Sequence, residues 1–185
     1  MRTTTTIPLA TGTWSLDAAH SGVHFRVRHL GLARVRGRFK EFDATLTVGD
    51  GLEDTAVRAT IALASVDTNQ QDRDAHLRST DFFSADDRPE MTFRSTAVRT
   101  TGETAYQVDG DLTINDVTKP VTLPVEFTGT NVHPLDGATR AGFEVVTQIS
   151  RKDFGIDFNV PITVGGFVIA DKVTIELDLE FVEPS

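Results

Sequence analysis

The chain is 185 residues long, 39% hydrophobic and 24% charged, the size and balance of one globular domain with a substantial core. Its net charge of −9 argues against a nucleic-acid partner, which needs a basic face. The absence of cysteine removes disulfides, thiolate metal sites and thiol nucleophiles together.

The opening segment, MRTTTTIPLATGTW, has no apolar run of signal-peptide length, and no later stretch approaches the roughly 18 to 20 apolar residues of a membrane-spanning helix. A cytoplasmic protein is expected, with residues 1–12 as an N-terminal tail and 13–183 as a single domain. From there the chain alternates with a period of two. Val23, Phe25 and Val27 are apolar between His24, Arg26 and Arg28. The series resumes at Val35, Gly37 and Phe39, against Arg34, Arg36, Arg38 and Lys40. A shift of face near Phe42 predicts a bulge or bend before Ala44, Leu46 and Val48. Val57, Ala59, Ile61 and Leu63 form the next set.

Between 68 and 83 the period changes. Thr68 and Gln71 have capping-box spacing, and Asp72 with His76 and Asp74 with Arg78 are spaced as helical pairs. A helix is predicted over about 69–79, capped by Thr68 and followed by Phe82 and Phe83. Alternation returns at Met91 to Ala97, Tyr106 to Ile114, Val121 to Phe127, Ala141 to Ile149 and Val173 to Phe181. Turn signals lie between the runs: GDG at 49–51, TTGE at 100–103, NDVT at 115–118 and HPLDG at 133–137. Pro120 and Pro124 predict that their strand is at an edge, short or bulged. About eight strands in hairpin succession predict an all-β, eight-stranded antiparallel barrel with a short helix covering one end. With one Trp and one Tyr there is no aromatic girdle, so the apolar face is expected to point inward. Twelve phenylalanines suit an oily cavity.

No catalytic constellation emerges. His20, His24, His29, His76 and His133 lack carboxylates at ligand spacing, and neither HExxH nor GxSxG occurs. No metal and no cofactor is expected. The arginine series from 26 to 40 falls on the outward face, an ordinary solvated surface or a place for transient contact with an anionic membrane.

Several segments together resemble the YceI-like family of lipocalin-type, polyisoprenoid-binding proteins. They are Trp14-Ser15-Leu16-Asp17, His20-Ser21, His29-Leu30-Gly31, Val35-Arg36-Gly37-Arg38-Phe39 and Ser65-Val66-Asp67-Thr68. Arg73-Asp74-Ala75-His76-Leu77, Met91-Thr92-Phe93-Arg94-Ser95, Gly110-Asp111-Leu112-Thr113-Ile114, Val117-Thr118-Lys119-Pro120-Val121 and Ile149 to Gly155 continue the series. The resemblance implies a lipocalin-like barrel around a long apolar tunnel for a polyprenyl chain, such as that of an isoprenoid quinone or its precursor. It also implies a glycine in the turn where this chain has Asn115-Asp116. The expected ligand-binding residues are Phe25, Val27, Phe39, Ile61, Leu63, Phe93, Leu112, Ile114, Leu123, Val125, Phe143 and Ile149 on the wall. The helix is expected to close one end with Leu77, Phe82 and Phe83 facing the ligand, and Phe154 is expected to bind it as well. The expected function is a non-enzymatic carrier or store, as a monomer or a homodimer. The rivals are an enzyme acting on an apolar isoprenoid-like substrate through His76, His20 or Arg73, and a membrane-docking module.

Overall fold

A computed structural model of the chain describes residues 6–185 as one continuous antiparallel sheet with a single α-helix among the described residues. The strands are β1 (Gly12–Leu16), β2 (Gly22–His29), β3 (Ala33–Phe39), β4 (Phe42–Val48), β5 (Ala56–Ala62) and β6 (Val66–Asp67). After α1 (Gln71–Arg78) come β7 (Glu90–Thr100), β8 (Ala105–Ile114), β9 (Val117–Val132), β10 (Thr139–Ser150) and β11 (Ile169–Val182). The ladder runs β1-β4-β5-β7-β8-β9-β10-β11 and closes where β11 pairs with β1. The barrel therefore has eight walls.

Three of the walls are interrupted. A 3₁₀ turn at Ala18–His20 separates β1 from β2, and another at Leu63–Ser65 separates β5 from β6. Between β3 and β4 the chain turns a corner at Lys40 and Glu41, the shift of face seen near Phe42. Ser65 fastens that corner: its hydroxyl oxygen accepts from the Glu41 N–H at 3.0 Å and its carbonyl from the Lys40 N–H at 3.2 Å.

The tightest hairpin has Asn115 and Asp116 at positive φ (53° and 61°), the geometry of a two-residue turn whose twist matches its strands. Both turn residues also reach outward. The Asn115 amide donates to the Phe82 carbonyl at 2.7 Å, and Asp116 pairs with Arg88 at 2.6 Å. Asn and Asp thus do what a glycine could not, tying the β8–β9 turn to the segment after α1.

The helix departs from expectation in its first turn. Asn69 has φ 60° and cannot be helical, so α1 begins at Gln71 with Gln70 as its cap, accepting from the Arg73 N–H. Thr68 is buried instead, hydrogen-bonded to Asp74 and to the Arg73 guanidinium. His76 pairs with Asp81 at 2.7 Å and not with Asp72.

β9 is not short. It pairs with β8 from Val117 to Glu126, but with β10 only from Val125 to Val132, past a bulge between Gly142 and Phe143. Pro120 and Pro124 lie on the stretch without a β10 partner, where the proline nitrogen has no hydrogen to donate. The wall has an open seam there.

Apolar clusters fill both barrel ends. At one, Trp14, Leu52, Tyr106, Phe127 and Phe181 pack with Ile7 from the chain preceding β1. Of the expected 1–12 tail, residues 1–5 lie outside the described residues. At the other end Phe82, Ile114, Phe154 and Ile156 pack with Leu77, Phe83 and Phe158.

Candidate functional site

Between these plugs the barrel encloses a cavity of about 180 Å³ to which no polar atom contributes surface. Alternation builds it: each strand sends every second side chain inward. Phe25, Phe39, Ile61, Phe93, Leu112, Leu123, Val125, Phe143 and Ile149 all border it. Side chains such as Phe25, Leu123 and Leu177 point into the barrel yet are only half-buried, because part of their surface faces the cavity.

The other expected ligand residues lie elsewhere. Leu63 is fully buried beside Phe39 and Ile61, and Ile114 and Phe154 belong to the plug at the α1 end with Phe82. Leu77 and Phe83 pack at the edge of that plug. Val27 sits between Val35 and Val173, off the cavity wall. In exchange, Val57, Met91, Tyr106, Val145, Leu177 and Phe181 border the cavity. All six alternate inward within their series, and alternation is the signal that finds them. Burial pushes the Tyr106 phenol above its ordinary value, so it is neutral throughout the physiological range.

The histidines proposed as acid–base groups do not meet. His76 and Arg73 are on α1, where His76 packs edge-on to Phe82 and Phe158 at 5.0 and 4.8 Å. His20 is at the opposite end, its Nδ1 3.0 Å from Asp17. Asp17, His20 and Glu180 place ligand atoms within 4.8 Å of one another, the spacing of a cation site. The Arg140 guanidinium already stands there, Nε 3.6 Å from both carboxylates, so the cluster has its own cation and ties the β1–β2 turn to β11.

The seam between β9 and β10 forms a second concavity, of about 220 Å³, on the barrel's flank. Lys119, Thr122, Gln148, Ser150, Asp153 and Lys172 border it, and Val121, Thr147 and Ile149 border both it and the cavity. Below it, buried Arg151 donates to the carbonyls of Ala170 (3.0 Å), Ile156 (2.7 Å), Phe158 (2.9 Å) and Ile169 (3.4 Å). Desolvation lowers its pKa against the pull of Asp171 and Asp157.

A closed up-and-down barrel around a cavity whose surface is supplied by apolar atoms defines a lipid-binding barrel. The YceI-like domain model matches residues 14–181. The chain belongs to the YceI-like family. A UPF0312 protein of Staphylococcus epidermidis is 38% identical over 91% of this chain and 96% of its own. The Campylobacter jejuni YceI protein superposes with a TM-score of 0.72 at 31% identity, over 92% of this chain and 97% of that one. A polyisoprenoid-binding domain from Saccharophagus degradans has the same fold, with a TM-score of 0.68 at 16% identity over 92% and 98% of the two chains.

Proposed function

We propose that the protein is a non-enzymatic carrier or store for an isoprenoid lipid, taking a polyprenyl chain such as that of an isoprenoid quinone or its precursor into the barrel. One observation carries this reading: inward side chains of a closed barrel keep apolar surface uncovered around a cavity without polar atoms. Covering that surface with hydrocarbon is worth about 0.8 kcal/mol per CH₂, so a few isoprene units give about micromolar binding after association costs. A cavity of about 180 Å³ is close to the ~150 Å³ that takes one benzene, so a long chain enters by turning side chains such as Phe93 and Met91 aside. The polyisoprenoid-binding neighbour supports the ligand class. Against an enzyme, no nucleophile, base and orienter converge on the cavity.

Native mass spectrometry of the purified protein, with titration by menaquinone and ubiquinone, tests the proposal. A co-purified prenyl lipid or saturable binding is expected; neither appearing overturns it.

A second reading, contact with an anionic bilayer, has its own observation. On the outer face Arg26 stands opposite Arg36 and Arg28 opposite Arg34, like-charged pairs that disfavour the strand pairing. Exposed Leu32, Val164 and Phe167 lie at the same end of the barrel, where the Leu30 N–H donates to the Val168 carbonyl. Apolar tips beside arginines suit a negatively charged lipid surface. Cosedimentation with phosphatidylglycerol vesicles that is lost at high salt is expected; equal binding to neutral vesicles overturns this reading.

A further inference from the structure

We propose that the cleft in the β9–β10 seam holds the anionic, phosphate-type head group of a ligand whose apolar tail enters the cavity between Val121 and Ile149. The inference rests on the reading of the barrel as a prenyl-chain binder and names the other end of that ligand.

The first support is connectivity. Val121, Thr147 and Ile149 border the cavity on one side and the cleft on the other, so a single layer of side chains divides them. No strand pairing holds that layer, because the β9–β10 ladder stops at Val125 and Val145. On either side of the seam, along β8–β9 and β10–β11, the wall is closed by continuous backbone hydrogen bonds that a ligand would have to break. At the seam it has only to part side chains.

The second is polarity. Beyond the end of the ladder, backbone N–H and C=O groups that would have pointed across to the neighbour face the cleft. Pro120 and Pro124 remove two donors from the β9 side, leaving its carbonyls unopposed there. Such a rim is polar, directly beside a chamber that favours no polar group, and the donors an anion needs there are the ammonium groups of Lys119 and Lys172.

The third is charge. Lys119 occupies the inward register of β9, in the series Val117, Lys119, Val121, Leu123, Val125, and is nevertheless exposed because the seam is open beside it. Lys119 and Lys172 both border the cleft, and neither makes an ion pair among the described residues. Of the acids, Asp153 borders the cleft, while Asp171 accepts from the Ser150 hydroxyl at 2.7 Å and the Lys152 N–H at 3.2 Å. Cations outnumber carboxylates here in a chain whose net charge is −9. An apolar chamber meeting a cationic, hydrogen-bonding cleft matches a chain with a phosphate at one end.

Binding of geranylgeraniol and of geranylgeranyl phosphate to the full chain, to Lys119→Gln/Lys172→Gln and to Asp153→Asn tests this, with unfolding midpoints confirming that each variant is folded. The phosphate is expected to bind at least about tenfold tighter than the alcohol, the gap narrowing as salt is raised. The double variant closes the gap, and Asp153→Asn widens it, while alcohol affinity stays the same in all three proteins. Equal affinities for the two compounds in the original chain, or a gap that survives in the double variant, overturn the head-group site and leave the prenyl-binding reading standing. Failure of both compounds to bind overturns that reading as well. Inorganic phosphate alone is expected not to compete; if it binds as tightly as the prenyl phosphate, the cleft is a free-anion site and the proposal falls.

Discussion

Phe127 and Phe143 face each other across β9 and β10 with ring centroids 5.4 Å apart, two pairs before the ladder between these strands ends. Phe143 also stands 6.0 Å from Phe181 and borders the cavity on its remaining side. It is core and wall at once. Phe143→Ala is expected to cost about 3 kcal/mol, the low end for a buried phenylalanine, because the cavity already exists on one side. Urea unfolding measures this. Phe143→Asp is expected to abolish uptake of apolar ligands, since an unpaired carboxylate there would be buried; full affinity in a folded Phe143→Asp protein would remove Phe143 from the interior.

Arg151 is the fastening of the long β10–β11 connection, with four carbonyls from Ile156, Phe158, Ile169 and Ala170 on one guanidinium. Arg151→Met leaves those carbonyls without their donor and is expected to cost about 3 kcal/mol. Arg151→Lys should recover little, because an ammonium cannot fan its donors as a planar guanidinium does. Hydrogen exchange should rise first at 156–170 in both variants.

The hydrogen bond to Asp17, reinforced by its charge and that of Glu180, raises the His20 pKa, while Arg140 opposes the rise. The His20 ring also lies 6.4 Å from that of His133, which pairs with Asp136. The His20 hydrogen bond likewise holds Asp17 below its ordinary value despite some burial. A raised histidine pKa stabilises the fold below the unfolded value of about 6.5 and loses that contribution as pH climbs through the higher folded value. The lowered Asp17 contributes above about 3.9 and fails as pH falls through its folded value. Melting temperature should therefore decline at low salt as pH rises above about 6.5, and His20→Gln should flatten that slope.

Asn115→Gly keeps the positive φ that the β8–β9 turn needs but removes the bond to the Phe82 carbonyl. It is expected to cost about 1 kcal/mol. Because Phe82 belongs to the plug, exchange protection should fall around 79–88 while the hairpin itself stays protected.

Much of the fold was legible because a strand with one buried face writes a period of two. Phe25, Phe39, Leu123 and Phe143 were placed inward on that ground, and they border the cavity. The same period cannot separate wall from filler: Leu63 and Ile114 alternate as regularly as Leu123, yet they are packed solid. That difference depends on what stands opposite, which is a property of the closed ring. The seam was half-legible. Pro120 and Pro124 announce a free edge, but which neighbour is missing follows from where the β10 ladder stops, at Val125 and Val145, which no single strand records. The helix cap was misplaced because Asn69 takes a left-handed conformation that breaks the spacing from Thr68.

The closing of the ring at β11 bears on how the chain folds. β11 pairs with β10 along nearly its whole length, with β2 through Val173 to Asp178, and with β1 through Phe181 and Val182. The first strands therefore find one of their edges in the last one, across more than 140 residues of chain, as in Leu16 with Phe181. Contacts of such separation are slow to form, since loop closure precedes any gain from pairing. Until β11 arrives, β1, β2 and β10 each present a bare edge, the kind that recruits other chains. Truncation within 169–182 should thus do more than remove a strand. It should leave a sheet that cannot close and that aggregates from its two exposed borders.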